Sequence, residues 1–252
     1  MKYHNERPRM SALLHKLSAI PPLQLPGVEV FLISQRNAKA LSGQLNDLLD
    51  PNEKARSAKF ATGDLSHRYI TGRAALRSIL SMLEAGAVAE TDWRFGSSTN
   101  GKPYIRTPKS STRSFNLSYA DDLIAIAVSK EVEVGVDIEP SQEIPQSEFP
   151  WHLFSKDERR LMMATAAADR APVFLRLWTL KEAIAKRTGQ GFATEFSEIN
   201  ITALPVDGLE LVGRRRQAGA LLFHTDLTVE GETVFLSVST APFGRDHDDL
   251  VS

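Results

Sequence analysis

The sequence predicts an α+β fold built from two similar α/β halves, related by a pseudo-twofold axis with an active-site cleft between them. Three observations carry that expectation. Short β-branched and aromatic runs bounded by turn residues alternate with two long helical stretches. Each half closes on a similar apolar strand, Leu123–Ser129 and Val234–Thr240. The long helices preceding those strands are offset by about the same hundred residues.

Taken in order, residues 1–26 mix charges with Pro8, Pro21, Pro22 and Pro26 and read as a poorly ordered lead-in. Residues 27–130 form the N-terminal half. It opens on a buried strand at Val28–Ser34, followed by a short helix at Ala38–Leu49 that the Asp50-Pro51 pair stops. Asp64 is expected to cap a helix reaching about Leu83, with Leu65, Tyr69, Leu76, Ile79, Leu80 and Leu83 on one face. Short strands follow near Trp93–Phe95, Tyr104–Arg106, Ser114–Ser118 and Leu123–Val128.

The C-terminal half, 131–241, replays this plan. A strand at Val132–Glu139 and a polar loop from Pro140 to Pro150 lead to helices near Lys156–Ala168 and Ala171–Arg187, the second ended by Gly189 and Gly191. Strands are expected near Ile199–Ala203, Leu209–Val212, Leu221–Val229 and Thr233–Thr240, and 242–252 form a tail.

Composition excludes several chemistries. The 252-residue chain holds no cysteine, so disulfides, thiolate zinc sites and a cysteine nucleophile are out. Its six histidines show no HxxxH or HExxH spacing. A net charge of −1 supplies no global field for nucleic acid or an anionic membrane. No apolar run approaches the roughly 20 residues of a membrane span, and no secretory signal is visible, so the expected location is the cytoplasm. GxGxxG, GxxxxGK[ST] and GxSxG are all absent.

The most informative stretch is Val134-Gly135-Val136-Asp137-Ile138-Glu139. Alternate residues of a strand share a face, so Val134, Val136 and Ile138 enter a core while Gly135, Asp137 and Glu139 line the other side. Two carboxylates on one rigid face form a hard-cation site suited to magnesium, and the glycine is expected to clear room for a ligand. The alternative is an exposed strand face with two solvated acids. Further on, Trp178, Glu182 and Lys186 lie four apart on one helix face. Glu182 can supply a third metal ligand or a general base, and Lys186 can hold a phosphate or steady a leaving group. Here the alternative is an ordinary surface ion pair.

Charge is unevenly spread. From Lys54 to Arg77 there are six cations (Lys54, Arg56, Lys59, Arg68, Arg73, Arg77) against Asp64 alone, whereas Glu131–Glu148 holds six acids and no lysine or arginine. That arrangement suits a phosphate-rich ligand bridged by a cation. Nucleic acid is the weaker reading, because the basic run lacks interleaved aromatics. Arg214–Arg216 reads as a solvated turn.

These pieces in this order resemble the 4′-phosphopantetheinyl transferase family, in its larger pseudo-dimeric, surfactin-synthetase-activating class. The matching elements run from about Pro51 to Phe196: His67-Arg68, Asn100-Gly101-Lys102-Pro103, Phe115-Asn116-Leu117-Ser118, the Gly135–Glu139 strand, Phe154–Glu158, and Trp178–Ala183 with Lys186 and Gly189-Gln190-Gly191. The resemblance implies transfer of the phosphopantetheine arm of coenzyme A to a serine of an apo acyl or peptidyl carrier protein, with release of adenosine 3′,5′-bisphosphate. It implies Asp137, Glu139 and Glu182 as ligands of Mg2+, with Mn2+ as the substitute ion, and Asp137, Glu182 and Lys186 as the catalytic set. Lys186 is also implied at the pyrophosphate. Arg56, Arg68 and Lys102 match positions that hold the nucleotide and its 3′-phosphate, and Ser118 lies in a motif that meets the phosphates. Where the family commonly has histidine, this chain has Tyr119, which can donate a hydrogen bond but carries no positive charge. Tyr119 is expected to face the nucleotide. A monomer is implied too, and Trp151–Met163 is the expected carrier-docking segment. Two other readings stay open: a non-catalytic coenzyme A or nucleotide-binding module, and a magnesium-dependent phosphohydrolase.

Overall fold

The computed structural model describes residues 10–190, 196–201, 210–211 and 220–241. Its elements run α1 (Ala12–Leu17), β1 (Leu23–Leu25), β2 (Val28–Ser34), α2 (Gln35–Lys39), α3 (Ser42–Asp47), α4 (Pro51–Ser57), α5 (Gly63–Leu83), β3 (Arg94–Ser97), β4 (Pro103–Thr107), β5 (Ser114–Ala120) and β6 (Leu123–Ser129). After β7 (Val134–Pro140) come α6 (Lys156–Ala164), α7 (Arg170–Thr188), β8 (Glu210–Leu211), β9 (Leu221–Val229) and β10 (Glu232–Thr240).

Two antiparallel sheets, ordered β1-β2-β6-β5 and β7-β10-β9-β8, form the middle of the molecule. Part of the order is shared: β2-β6-β5 and β7-β10-β9 each join an early strand of the half to its last strand, and that last strand to the one before it, while β1 and β8 extend the two sheets at opposite ends. The expected internal repetition is therefore present in the strand topology. Alternation along the strands explains the layering. Val30 and Leu32 of β2, Ala125 and Ala127 of β6, and Val134, Val136 and Ile138 of β7 share one core between the sheets. The opposite faces of β2 and β6, with Phe31, Ile33, Ile124 and Ile126, pack on α5. Phe235 of β10 packs on α7 through Leu177 and Leu180. Strands buried on both faces read as unbroken apolar runs, which is why Leu123–Val128 shows no alternation.

Side chains join the edge strands of the two sheets. Ser114 Oγ accepts from Val134 N (3.3 Å) and Asn116 Oδ1 accepts from Val136 N (3.0 Å). Strand β5 thus satisfies amides of β7 with alternate side chains from one face. On the other side of β7, helix α7 comes very close. A Cβ on Gly135 would lie 2.1 Å from Ala183 O and 2.4 Å from Arg187 N. The expectation that this glycine clears room for a ligand is corrected: it clears room for the backbone of α7.

Other boundaries shift for local reasons. Asp50-Pro51 starts a helix instead of ending one, because Asp50 and Glu53 form a reciprocal capping box and proline suits the first helical turn. Helix α5 is capped by Thr62, whose Oγ1 accepts from Leu65 N, and Asp64 falls in the first turn. The segment expected as one helix over Ala38–Leu49 is divided between α2 and α3. Within the expected lead-in, α1 buries Leu14 and Leu17 completely, and β1 pairs with β2. Six residues are too few for a periodic signal. Leu65, expected on the packed face of α5, is exposed. Gly191, Arg214–Arg216, the tail, and parts of the expected strands near 199–203 and 209–212 lie outside the described residues.

Candidate functional site

Strand β7 and helix α7 bring the acidic pair and the helical triplet together. Asp137 is buried, and its Oδ1 accepts from Lys186 Nζ (2.5 Å) and Ser118 Oγ (2.7 Å). Lys186 Nζ also donates to Ser118 Oγ (2.9 Å). The Glu182–Lys186 spacing therefore serves something other than a surface pair, since the ammonium reaches across to β7. Glu139 and Glu182 stand at the same junction. The Glu139 carboxyl is raised to about 7, chiefly by burial and then by the neighbouring Asp137 and Glu182 charges, against the opposing effects of Lys186 and a Trp178 hydrogen bond. Asp137 and Glu182 are likewise pushed up, first by burial, and Lys186 offsets part of this in both. Asp137 raises the proton affinity of both glutamates and Glu182 raises that of Glu139, which makes a region of negative potential that a cation relieves.

Asp137 Oδ2 is buried and has no hydrogen-bond partner, although its sister oxygen has two. Such an atom costs free energy unless something binds it. Among the described residues, no group of three or more histidine, cysteine or carboxylate side chains is placed to hold a metal ion. The donors nonetheless fit magnesium, which ordinarily takes one or two carboxylates together with substrate phosphate oxygens and water.

A second cluster lies beside Asn116, whose other neighbour is β7. A cavity of about 430 Å³ is lined by Arg56, Arg68, Arg73, Tyr69 and Tyr119, and among the described residues no carboxylate lines it. Arg68 lies over the Tyr119 ring at 5.6 Å and Arg56 over the Tyr69 ring at 5.3 Å. Tyr119 is 38% exposed, while its hydroxyl packs where a Cβ on Gly72 would come within 2.5 Å. Burial raises the Tyr119 phenol, so it stays a donor at neutral pH.

Not every expected residue gathers here. Lys102 turns away from the arginines: its ammonium pairs with Glu133 and donates to Arg187 O (2.6 Å) at the end of α7. Ser118 joins the carboxylates rather than the arginine cavity. Arg77, one of the six cations of the basic run, is fully buried and held by Glu53 (2.6 Å) and by the carbonyls of Glu90 and Trp93, so it is structural. Lys181, next to Glu182 but turned towards α6, pairs with Glu158 (2.8 Å) with both side chains fully buried. That pair ties the Phe154–Glu158 motif to α7. Trp178 packs along Phe174 and Phe196. Two residues escaped the sequence reading. Asn116 was visible only as part of the Phe115–Ser118 motif, because an asparagine in a strand does not announce an acceptor for another strand's amide. Arg73 was visible only as one charge among six.

A model of the 4′-phosphopantetheinyl transferase superfamily matches residues 133–235, which include β7, α7 and β9. The chain is 32% identical to the 4′-phosphopantetheinyl transferase HetI of Nostoc sp., over 67% of this chain and 72% of the relative. It is 28% identical to the transferase psf-1 of Bacillus pumilus, over 68% and 71% of the two chains. The transferase Sfp of Bacillus subtilis shares 26% identity over 61% of this chain and 66% of its own length. Among the described residues, no helix is long and apolar enough to cross a membrane.

Proposed function

The chain belongs to the 4′-phosphopantetheinyl transferase superfamily, and on that premise we propose that its carboxylate and arginine clusters are the two ends of one coenzyme A site. The reaction is transfer of the 4′-phosphopantetheine arm to a serine of an apo carrier protein. The serine oxygen bonds to the β-phosphorus of coenzyme A, the bond from that phosphorus to the bridging oxygen breaks, and adenosine 3′,5′-bisphosphate leaves.

The observation that carries this reading is Asp137, buried, bonded to Lys186 and Ser118 through one oxygen, and unpartnered at the other. Asp137, Glu139 and Glu182 would hold a divalent ion together with pyrophosphate oxygens, where it neutralises developing charge. Lys186 carries the positive charge nearest these acids and is suited to steadying the leaving phosphate. Glu182 takes the serine proton as general base. Arg56 and Arg68 hold the nucleotide end, with Tyr119 donating to it. Lys102 acts at a distance by tying the β3–β4 hairpin to the end of α7. Leu161 and Met163, exposed on α6, form part of the carrier-docking surface.

Incubation with coenzyme A, Mg2+ and a panel of apo acyl and peptidyl carrier proteins, read by intact mass, tests the reading. A carrier that gains one phosphopantetheine supports it. Steady phosphate release with no carrier modified would overturn it.

A further inference from the structure

Beneath α7 the second sheet carries a polar row that takes no part in the chemistry described above. In the register of β7, β10 and β9, Asp137 stands opposite Ser237, and Ser237 opposite His224. His224 is buried, and Ser237 and Thr179 are fully so. Both ring nitrogens of His224 are engaged: Nδ1 lies 2.8 Å from Ser237 Oγ, and Nε2 lies 2.9 Å from Asp226 Oδ1. Each of those partners reaches on to α7. Ser237 Oγ lies 2.8 Å from Thr179 Oγ1, and Asp226 Oδ2 accepts from Arg176 Nη2 (2.5 Å). Against burial, the hydrogen bonds from His224 and Arg176 hold the Asp226 carboxyl down at about 2, so it stays ionised. A carboxylate only accepts, so Nε2 carries a hydrogen and Nδ1 shares one with the Ser237 hydroxyl.

The order Ser237, His224, Asp226 does not make a nucleophile, because Ser237 is fully buried with Thr179 and His224 both on its oxygen. What the row does is seat a helix. Helix α7 meets the sheet through Arg176, Thr179, Ala183 and Arg187, spaced three or four apart on one face. Arg176 rests on Asp226, Thr179 on Ser237, the backbone at Ala183 against Gly135, and Arg187 Nε on Ser239 Oγ (3.1 Å). His224 links the first two of these anchors, since its two nitrogens fix the span from Ser237 to Asp226. Apolar contacts let a helix slide, whereas hydrogen bonds demand a set distance and direction. A buried polar network whose members satisfy one another therefore specifies a single seat.

Resting on the transfer reading above, we propose that His224 is a positioning residue for the reaction. Through Ser237 and Thr179 it sets where α7 lies along β10, and so where Glu182 and Lys186 stand relative to Asp137 and Glu139. Glu182 and Lys186 follow Thr179 by three and seven residues on the same rigid helix, so a displacement at Thr179 is carried to both. The nucleotide end, built on α5 and β5, shares none of these anchors.

The test replaces the imidazole by each of its halves. Asparagine puts an amide at the place of Nδ1 and keeps the Ser237 contact, whereas glutamine reaches the place of Nε2 and keeps only the Asp226 contact. Transfer to a carrier protein that the unsubstituted chain modifies is followed with saturating Mg2+, well below each melting temperature. His224→Gln is expected to lower kcat by about tenfold or more, with KM for coenzyme A within about threefold of the parent, while His224→Asn stays within about threefold in both. A role confined to stability would lower the melting temperatures and leave kcat alone. Equal losses in the two variants, parent rates in both, or a greater loss in His224→Asn overturns the assignment. If either variant fails to fold, Thr179→Val carries the test, because it removes the hydroxyl and keeps the branched shape. A kcat lowered by the same order then supports the assignment, and a parent rate overturns it. If the unsubstituted protein modified no carrier at all, the transfer reading itself would fall, and this assignment with it.

Discussion

Replacing Gly135 by alanine adds one methyl group at the point where the two proposed halves of the chemistry meet. That methyl would sit 2.1 Å from the carbonyl oxygen of Ala183, whereas ordinary contact begins near 3.4 Å. Helix α7 must therefore move off β7 by more than about 1 Å, and the obstacle is backbone on both sides, so no rotamer change relieves it. Overpacking of this kind costs about 1–3 kcal/mol, and for a domain of this size that lowers the melting temperature by about 3–10 °C. The same movement carries Lys186 away from Asp137, to which it is now bonded at 2.5 Å, and carries Glu182 with it. A misplacement of about 1 Å can lower a rate by about a hundredfold. Transfer to a carrier protein, read by intact mass, should fall by that order in Gly135→Ala while the circular dichroism spectrum stays native. Gly43→Ala is the control, because nothing lies within 4 Å of the added methyl; it should melt at or slightly above the parent temperature. If Gly135→Ala melts like the parent and transfers at the parent rate, the close approach of α7 to β7 does not set the site.

Other expectations follow from the same junction. Glu182→Gln removes a charge from a crowded acidic region, so activity should drop by orders of magnitude with the melting temperature unchanged or raised. Lys186→Met frees Asp137 of its ammonium partner, and Mn2+ binding without coenzyme A, followed by electron paramagnetic resonance, should tighten at least about tenfold; unchanged binding would mean the lysine does not contest that oxygen. Glu139 binds its proton more tightly folded (about 7) than unfolded (4.5), so its contribution to stability is present below about pH 4.5 and is lost as pH rises towards 7. The metal-free protein should therefore melt progressively lower across that window, as it loses at most about 3 kcal/mol of stability, and less in proportion to the water that reaches the side chain. Glu139→Gln should flatten the slope, and a slope unaltered in that variant would show that the burial assigned to Glu139 is wrong.

Much of the fold was legible because the strands obey one rule. Val134, Val136 and Ile138 alternate with Gly135, Asp137 and Glu139, and both sets fall on the faces the alternation demands. The four-residue spacing of Trp178, Glu182 and Lys186 likewise predicted a shared face. What periodicity could not supply was what lies opposite each face. Gly135 faces a helix rather than a ligand, and nothing in a strand's own residues says which. Arg73 and Arg77 both approach Glu53, but only Arg77 is also held by the carbonyls of Glu90 and Trp93, and those partners come from distant segments. Lys102 carries the motif residue but spends its charge on Glu133 and the end of α7, a contact spanning 85 residues of sequence to Arg187. The Asp50-Pro51 pair was misread because the same dipeptide marks a helix end or a helix start, and only Glu53 three residues on decides between them.

The central claim is that Asp137, Glu139 and Glu182 act on one ion together with the coenzyme's pyrophosphate. Titrating Mn2+ into the protein with and without coenzyme A, while following broadening of the pyrophosphate phosphorus resonances, addresses it most directly. The account predicts one ion per chain, bound much more tightly with coenzyme A present, with broadening abolished by Asp137→Asn and weakened by Glu139→Gln and Glu182→Gln. Broadening that survives all three substitutions would contradict it.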